Sequence, residues 1–306
     1  SFRKLFQFYK HCNVLGVTAT PLSSNKALPL NDHYNSLLVG ESIISLIEKG
    51  YLADGNTYSY DVNLQGLKIG THGDFTVSSM DYVYGNNFIQ EKLIYAYEEV
   101  AKNEKTLIFN AGIETSIIVE DTFKKLKYNV RHLDSTFSDK ERKNVIEWFR
   151  KTPNAILTSV GILTTGFDEP GVKNIILNRA TRSLTLYHQM IGRGSRRLLN
   201  KKEFNIIDLG NNVRRFGLWQ DFINWHDAFR FPDRFLESRI SELEDLQFEV
   251  EYSFPKKYKN CFNTDKLESF SIADAYYNAL DNGIKGKVAI DESMQNHFEV
   301  LCDAAV

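Results

Sequence analysis

Between Phe88 and Asp208, short apolar runs of strand length alternate with longer stretches of helical spacing, and this pattern admits few folds. An amphipathic helix is predicted from Phe88 to Ala101, then the strand TLIFN (106–110), a helix from Ile113 to about Leu126, and the strand NVRHL (129–133). Ser138 can cap a helix reaching Phe149, ahead of a strand AILTS (155–159). KNIILN (173–178), a helix containing Tyr187 to Ile191, and FNIID (204–208) close the series. Strands and helices alternating in this way predict an open α/β domain, a parallel sheet with helices on both faces. Ligands of such sheets lie at the C-terminal ends of the strands.

The flanks are less regular. The β-branched run at 14–18 predicts a strand that ends in Ala19-Thr20-Pro21, and 22–35 is polar. Residues 42–49 show helical spacing (Ile43, Ile44, Ile47) that stops at Gly50, and the alternation of TYSYDV (57–62) predicts a strand. After Asp208 the alternation ceases. Arg214 to Leu246 is rich in Phe and Trp at loosely helical spacing, which predicts a mostly helical C-terminal extension; beyond Gln247 no motif is recognisable.

Composition narrows the function. At 306 residues, 42% hydrophobic and 25% charged, the chain is long enough for about two domains with cores of their own. Thirty-seven Lys and Arg against 39 Asp and Glu give a net charge of −2, so any nucleic-acid binding must be local. Cys12, Cys261 and Cys302 are too few and too far apart for a disulfide framework, and no run has the apolar length of a membrane span or signal peptide. A cytoplasmic protein with no membrane partner is expected. Seven scattered histidines show no paired ligand spacing, so no metal site is expected. The first apolar segment arrives almost at Ser1, as expected of a piece of a longer polypeptide.

Three segments can carry chemistry. In QMIGRGSRR (189–197), a continuing helix would place Gln189, Arg193 and Arg196 at i, i+4 and i+7 on one face. Two guanidinium forks and an amide would then converge, a group suited to stabilising a polyphosphate during transfer; a solvated basic turn is the plain alternative. In ILTSVGILTTGFDEPGV (156–172), an apolar strand opens into a loop with Thr164, Thr165, Gly166 and Asp168. Hydroxyls and loop amides there can hold phosphates, and Asp168 can accept from a ribose hydroxyl or pair with an arginine. The third segment, GVTATP (16–21), places small hydroxyl residues after a strand.

In their order and spacing these segments resemble superfamily 2 helicases and translocases of the DEAD/DEAH-box type. GVTATP is similar to motif III, TLIFNAGIETS (106–116) to motif IV, ILTSVGILTTGFDEP to motif V, and YHQMIGRGSRR (187–197) to motif VI. LVGESIISLIEKGYLAD (38–54) resembles the connector of repair, phage and restriction-system motors, which implies DNA as the partner, with RNA as the alternative. The resemblance implies a RecA-like fold. It divides the chain into the end of a first RecA-like lobe (1–21), a connector (22–56), a second lobe (57–213) and the C-terminal extension (214–306). It further implies that Gln189, Arg193 and Arg196 face the γ-phosphate of ATP, with Gly166 and Asp168 completing the nucleotide side. Thr18 and Thr20 would couple nucleotide state to grip. Thr165, Ser159, Asn110, Gly112 and Arg142 would hold the nucleic-acid backbone, giving affinity without sequence choice.

Two elements of the family pattern are absent. No GxxxxGK[ST] loop occurs, and the only Asp-Glu box in a strand-like context, VAIDESM (288–294), lies after motif VI rather than before motif III. Val160 and Gly161 also stand where many relatives carry Thr and Asp. The resemblance therefore implies the C-terminal half of an ATP-dependent DNA helicase or translocase. Its ATP and Mg²⁺ would be held mostly by a first lobe outside this sequence, it would be inactive alone, and a nuclease or methylase subunit is a candidate partner. A non-catalytic RecA-like module that binds nucleic acid or protein is the competing expectation.

Overall fold

The computed structural model describes residues 13–23, 29–71, 73–163, 167–232 and 235, all within the compact unit Ser1–Lys259. Thr164, Thr165, Gly166, the VAIDESM run and the extension beyond 235 lie outside the described residues.

After a 3-10 turn at Leu30–Asp32 come α1 (Ile43–Glu48), β1 (Asp54–Ser59), α2 (Val77–Tyr84), α3 (Asn87–Ala96), a π-helical turn (Tyr97–Ala101), β2 (Thr106–Asn110) and α4 (Ile113–Lys125). The order continues with β3 (Val130–Leu133), α5 (Asp139–Lys151), β4 (Ile156–Ser159), β5 (Asn174–Asn178), α6 (Leu184–Ile191), β6 (Glu203–Asp208), α7 (Asn212–Phe216) and α8 (Trp225–Arg230). The six strands form one sheet in the order β1-β6-β5-β2-β4-β3. Every pairing is parallel, with Thr106 opposite both Ile156 and Asn174, and Asp54 opposite Glu203.

Successive strand residues point to opposite faces, so each apolar run serves two cores. Leu107, Phe109, Leu157, Ile175, Leu177 and Ile206 pack with Val145 and Phe149 of α5 and with Leu184, Tyr187 and Met190 of α6. Ile108, Ile156, Ile176 and Ile207 pack against Met80 and Tyr84 of α2, Leu93 of α3, Tyr97, and Phe123 of α4. Polar residues set the helix ends. Ser138 accepts from the Glu141 amide and Glu141 reaches back to the Ser138 amide, a complete capping box at α5.

Two expectations need correction, and one helix is new. The run at 14–18 is not a strand: Leu15 and Val17 are exposed, and among the described residues no strand pairs with it. The first strand runs over Asp54–Ser59 rather than 57–62. Its polar start is tolerated because Asn56 donates to Glu203 at 2.9 Å and Gly55 lies beneath Ile206 and Phe204. Helix α2 carries no strong apolar stripe and has no counterpart in the sequence reading; the Thr76 side chain, accepting from the Ser79 amide, starts it.

Candidate nucleotide and nucleic-acid site

The arginine-bearing loop follows α6, whose N-terminus is capped by the Ser183 hydroxyl accepting from the Leu186 amide. The helix does not continue through Arg196 as the i, i+4, i+7 spacing required. It ends at Gly192, and tight turns follow, with Arg193 N–H donating to Met190 O at 3.2 Å and Gly194 N–H to Ile191 O at 2.9 Å. Gly194 is required where the loop crosses the core, because a Cβ there would run into the Phe204 ring and lie 2.8 Å from Ile175.

The turns, rather than a helix face, bring the two guanidiniums together. Arg193 Nη1 donates to the Phe167 carbonyl at 2.6 Å and Arg196 Nη2 to the same oxygen at 3.3 Å. Arg196 Nε also meets Asp168 Oδ1 at 2.6 Å. Burial pulls the pKa of Arg193 down, the neighbouring Arg196 charge adds to that, and Asp168 works against it. Arg196 Nη1 is shielded from solvent and has no hydrogen-bond partner. This donor in a cluster of positive charge fits a polyanionic ligand, and Gln189 lies half-buried on α6 one turn before Arg193.

The segment before β1 braces this loop. Ala53 N–H donates to Ser195 O at 2.8 Å, and Leu52 bridges Arg196 in antiparallel sense. Farther upstream, the Thr18 hydroxyl and the Thr20 backbone form a closed turn, with the Thr20 amide donating to Thr18 Oγ1 at 3.1 Å. Thr20 is buried, Thr18 is exposed, and Leu22 docks on α6 through its carbonyl, which accepts from Thr185 at 3.0 Å.

At the C-terminal ends of β2, β4 and β5 a buried polar chain runs across the sheet. Asn178 donates to Asn110 at 2.7 Å, and Asn110 donates to Thr158 at 2.7 Å. Thr158 meets Ser116 at 2.9 Å, Ser116 meets His132 Nδ1 at 2.7 Å, and His132 Nε2 meets Asp134 at 2.6 Å. The Asn110 side chain is therefore directed inward, to Thr158 and Asn178. Ser159, the next residue of β4, is fully buried and its hydroxyl has no hydrogen-bond partner.

Gly112 is the N-cap of α4 and offers no side chain to the helix amides. Asp81 of α2 supplies one instead, accepting from the Thr115 hydroxyl at 2.5 Å and the Thr115 amide at 3.2 Å. Arg142 stands on the first turn of α5, half-buried, with its Nε shielded and without a hydrogen-bond partner. No hydrogen bond or ion pair among the described residues links Arg142 to the arginine loop.

Several residues at the site escape a sequence reading. The Phe167 carbonyl that gathers both arginines is backbone and leaves no mark in composition. Lys201, whose pairing with Lys202 in the sequence suits a local phosphate contact and a solvated face equally well, is 3% exposed. Arg215 is equally misleading: it donates to Thr181 O at 2.8 Å beside the buried Asp208 carboxylate. Phe216, Trp219 and Phe229 belong to the core, while Phe222 and Phe231 are exposed. Among the described residues no group of three or more His, Cys, Asp or Glu could hold a metal ion, and no helix is long and apolar enough to cross a membrane.

A six-stranded parallel sheet covered by helices on both faces defines a RecA-like α/β lobe. Residues 88–197 match the family model described as "Helicase conserved C-terminal domain". Among curated proteins, it is 28% identical over 230 residues to a "51.5 kDa protein" of Lactococcus phage (isolate 7-9), covering 75% of this chain and 50% of that protein. It is 25% identical over 307 residues to "Putative ATP-dependent helicase IRC3" of Saccharomyces cerevisiae, covering 91% of this chain and 43% of that protein. The chain thus spans no more than about half the length of these relatives. Among solved structures, "The fragment structure of a putative HsdR subunit of a type I restriction enzyme from Vibrio vulnificus YJ016" shares the fold. Its TM-score is 0.59 at 23% identity, with 71% of this chain and 43% of that chain covered.

Proposed function

We propose that this chain is the second-lobe half of an ATP-driven DNA helicase or translocase, with Arg193 and Arg196 as the cations that meet the triphosphate from across the lobe interface. The observation that carries this reading is the convergence of both guanidiniums on the Phe167 carbonyl beside Asp168, with Arg196 Nη1 left without a partner. ATP, when bound, supplies a transferable phosphoryl group whose negative charge gives the two lobes a reason to close. The residues of this chain then have separable tasks. Arg193 and Arg196 offer fixed donors to the developing charge, Asp168 holds Arg196 in orientation, Gln189 stands one turn before Arg193 on α6, and the resemblance of the sequence assigns Gly166 to the nucleotide side.

Thr18 and Thr20 lie on the segment leading to α6 through Leu22, a position from which lobe closure reaches the arginine loop. Mg²⁺ would be held by the first lobe, so this chain by itself is proposed to hydrolyse no ATP. For the nucleic-acid strand, Thr165 and Arg142 are the proposed contacts, while Ser159 and Gly112, both buried, and Asn110, through its hydrogen bond to Thr158, would act from behind that surface. DNA, with RNA as the alternative, and a nuclease or methylase subunit as protein partner are proposed on the resemblance of residues 38–54 to the connector of restriction-system motors.

The test is DNA-stimulated ATP hydrolysis by the complete gene product, parent against Arg193→Ala, at one salt concentration. Loss of stimulated turnover with folding and DNA binding retained supports the motor. A parent that hydrolyses no ATP with or without DNA replaces it with a non-catalytic binding module.

A further inference from the structure

We infer that Lys201 is a positioning residue for the arginine pair, its buried ammonium tying the turn that follows Asp168 to the loop that carries Arg193 and Arg196. The inference rests on the reading of those arginines as phosphate-facing. Lys201 Nζ donates to Gly194 O at 2.6 Å, Arg196 O at 2.9 Å and Pro170 O at 3.0 Å. An ammonium has three N–H donors and no acceptor, and here each meets one carbonyl. Two of those carbonyls belong to the arginine loop. The third belongs to the turn whose preceding residues, Phe167 and Asp168, receive the two guanidiniums.

The arrangement is costly unless it serves position. Among the described residues no carboxylate lies within ion-pair distance of Lys201, and a buried cation held only by neutral dipoles is less favourable than an apolar side chain of the same volume. What an apolar side chain cannot do is hold three carbonyls from two loops at one point. The local chain serves the same end. Leu198 and Lys201 exchange two backbone hydrogen bonds at 3.1 Å, a tight reversal that returns Lys201 to the flank of Arg196. Its ammonium lies 5.8 Å from the centre of the Phe204 ring, the ring over which Gly194 passes.

The charges around Lys201 make the tie sensitive to pH. Burial lowers its pKa to about 8, the nearby Arg196 and Lys173 push in the same direction, and Glu169 opposes them. As pH rises through that value one donor becomes a lone pair, which one of the three carbonyls would then face.

The test uses the complete gene product in the same DNA-stimulated ATPase assay, with Lys201→Met and Lys201→Arg beside the parent and Arg193→Ala. Lys201→Met keeps length and removes the donors. It is expected to lower kcat by about tenfold or more while the KM for ATP moves less than about threefold, since misplacement of about 1 Å costs rate rather than affinity. The parent is expected to lose turnover as pH rises through about 8. In Lys201→Arg, whose guanidinium does not titrate in that range, the loss is expected to move upward or vanish. A folded Lys201→Met with kcat within about twofold of the parent overturns the inference. Where Lys201→Met does not fold, a parent whose turnover stays level to pH 9.5 overturns it equally. An active parent, an inactive Arg193→Ala and an unaffected Lys201→Met would sink the positioning role alone. A parent without ATP turnover would sink the motor reading and this inference together.

Discussion

Two pairs of arginines stand at opposite edges of the same sheet, Arg179 and Arg215 past the C-terminal ends of β5 and β6 and Arg193 and Arg196 in the loop that leads into β6, and their surroundings differ. Arg179 and Arg215 are drawn inside. Arg179 approaches Asp74 at 3.8 Å, Arg215 donates to Thr181 O, and the fully buried Asp208 carboxylate, accepting from Gly210, Asn212 and Val213, sits beside them. Burial lowers the pKa of both arginines while Asp74 and Asp208 offset it, and burial raises that of Asp208. Arg193 and Arg196 share one carbonyl, and the Asp168 carboxylate that pairs with Arg196 is mostly exposed. The first pair lies beside a fully buried carboxylate, whereas the carboxylate beside the second is open to solvent. A basic residue near a strand end is therefore not by itself a phosphate ligand; what decides is whether the fold has already neutralised it.

The sharpest way to break that comparison is to truncate one member of each pair. Arg193→Ala in the complete protein should lower DNA-stimulated ATP turnover on the order of 10³-fold, the scale of a removed arginine finger, with the unfolding midpoint unchanged. Arg215→Ala should show the opposite pattern. Losing a mostly buried cation beside Asp208 should cost about 2–3 kcal/mol in denaturant unfolding. Equal stability losses for the two variants would erase the distinction drawn here.

Smaller changes sharpen it. Gly194→Ala pushes a methyl group into Phe204 and should cost about 1–3 kcal/mol, with turnover falling because the arginine loop must shift. Asp134 offers a pH test that should leave both pairs alone. Burial works against its carboxylate, but hydrogen bonds from Thr136 and His132 more than offset that and hold its pKa below the ordinary range. Its contribution to stability is thus present above the unfolded value and is lost as pH falls through the lower folded one, so Asp134→Asn should flatten the acid limb of the stability profile. The smallest effect belongs to Ser159→Ala. That hydroxyl has no partner to lose, so stability should stay within about 0.5 kcal/mol, whereas Thr158→Val, which breaks the buried chain, should cost about 1–2 kcal/mol.

Much of the architecture was legible because a parallel sheet writes itself as uninterrupted apolar runs. β2, β4 and β5 fall within a residue or so of TLIFN, AILTS and KNIILN. β1 was misplaced because DGNTYS hides a strand among polar residues. Its beginning needs no large side chains, Gly55 being covered by Ile206 and Phe204, while the alternation of Tyr58, Tyr60 and Val62 outruns the ladder with β6. At the site, the arginines could be named from the motif but their geometry could not. Helical spacing extrapolated past Gly192 describes a face that does not form, and the features that replace it, the Phe167 carbonyl and the inward Lys201, are invisible to residue type. Asn110 shows the converse, since a polar residue at a strand end reads as a ligand and proves to be a link in a buried chain.

The pairing of β1 with β6 has a consequence for how the chain is made. Among the described residues, the first strand of the sheet finds its one neighbour in the last, about 150 residues later. During synthesis β2, β4 and β3 can assemble early, and β5 can join them, while β1 has nothing to pair with until β6 emerges. In that interval Tyr58 and the exposed edge of β5 are open to wrong partners, and a chain stopped short of Asp208 would leave both permanently so. The sheet is thus completed last at the strand that directly follows the arginine loop, and a product that ends before that strand carries the loop without the partner that joins β1 to β5.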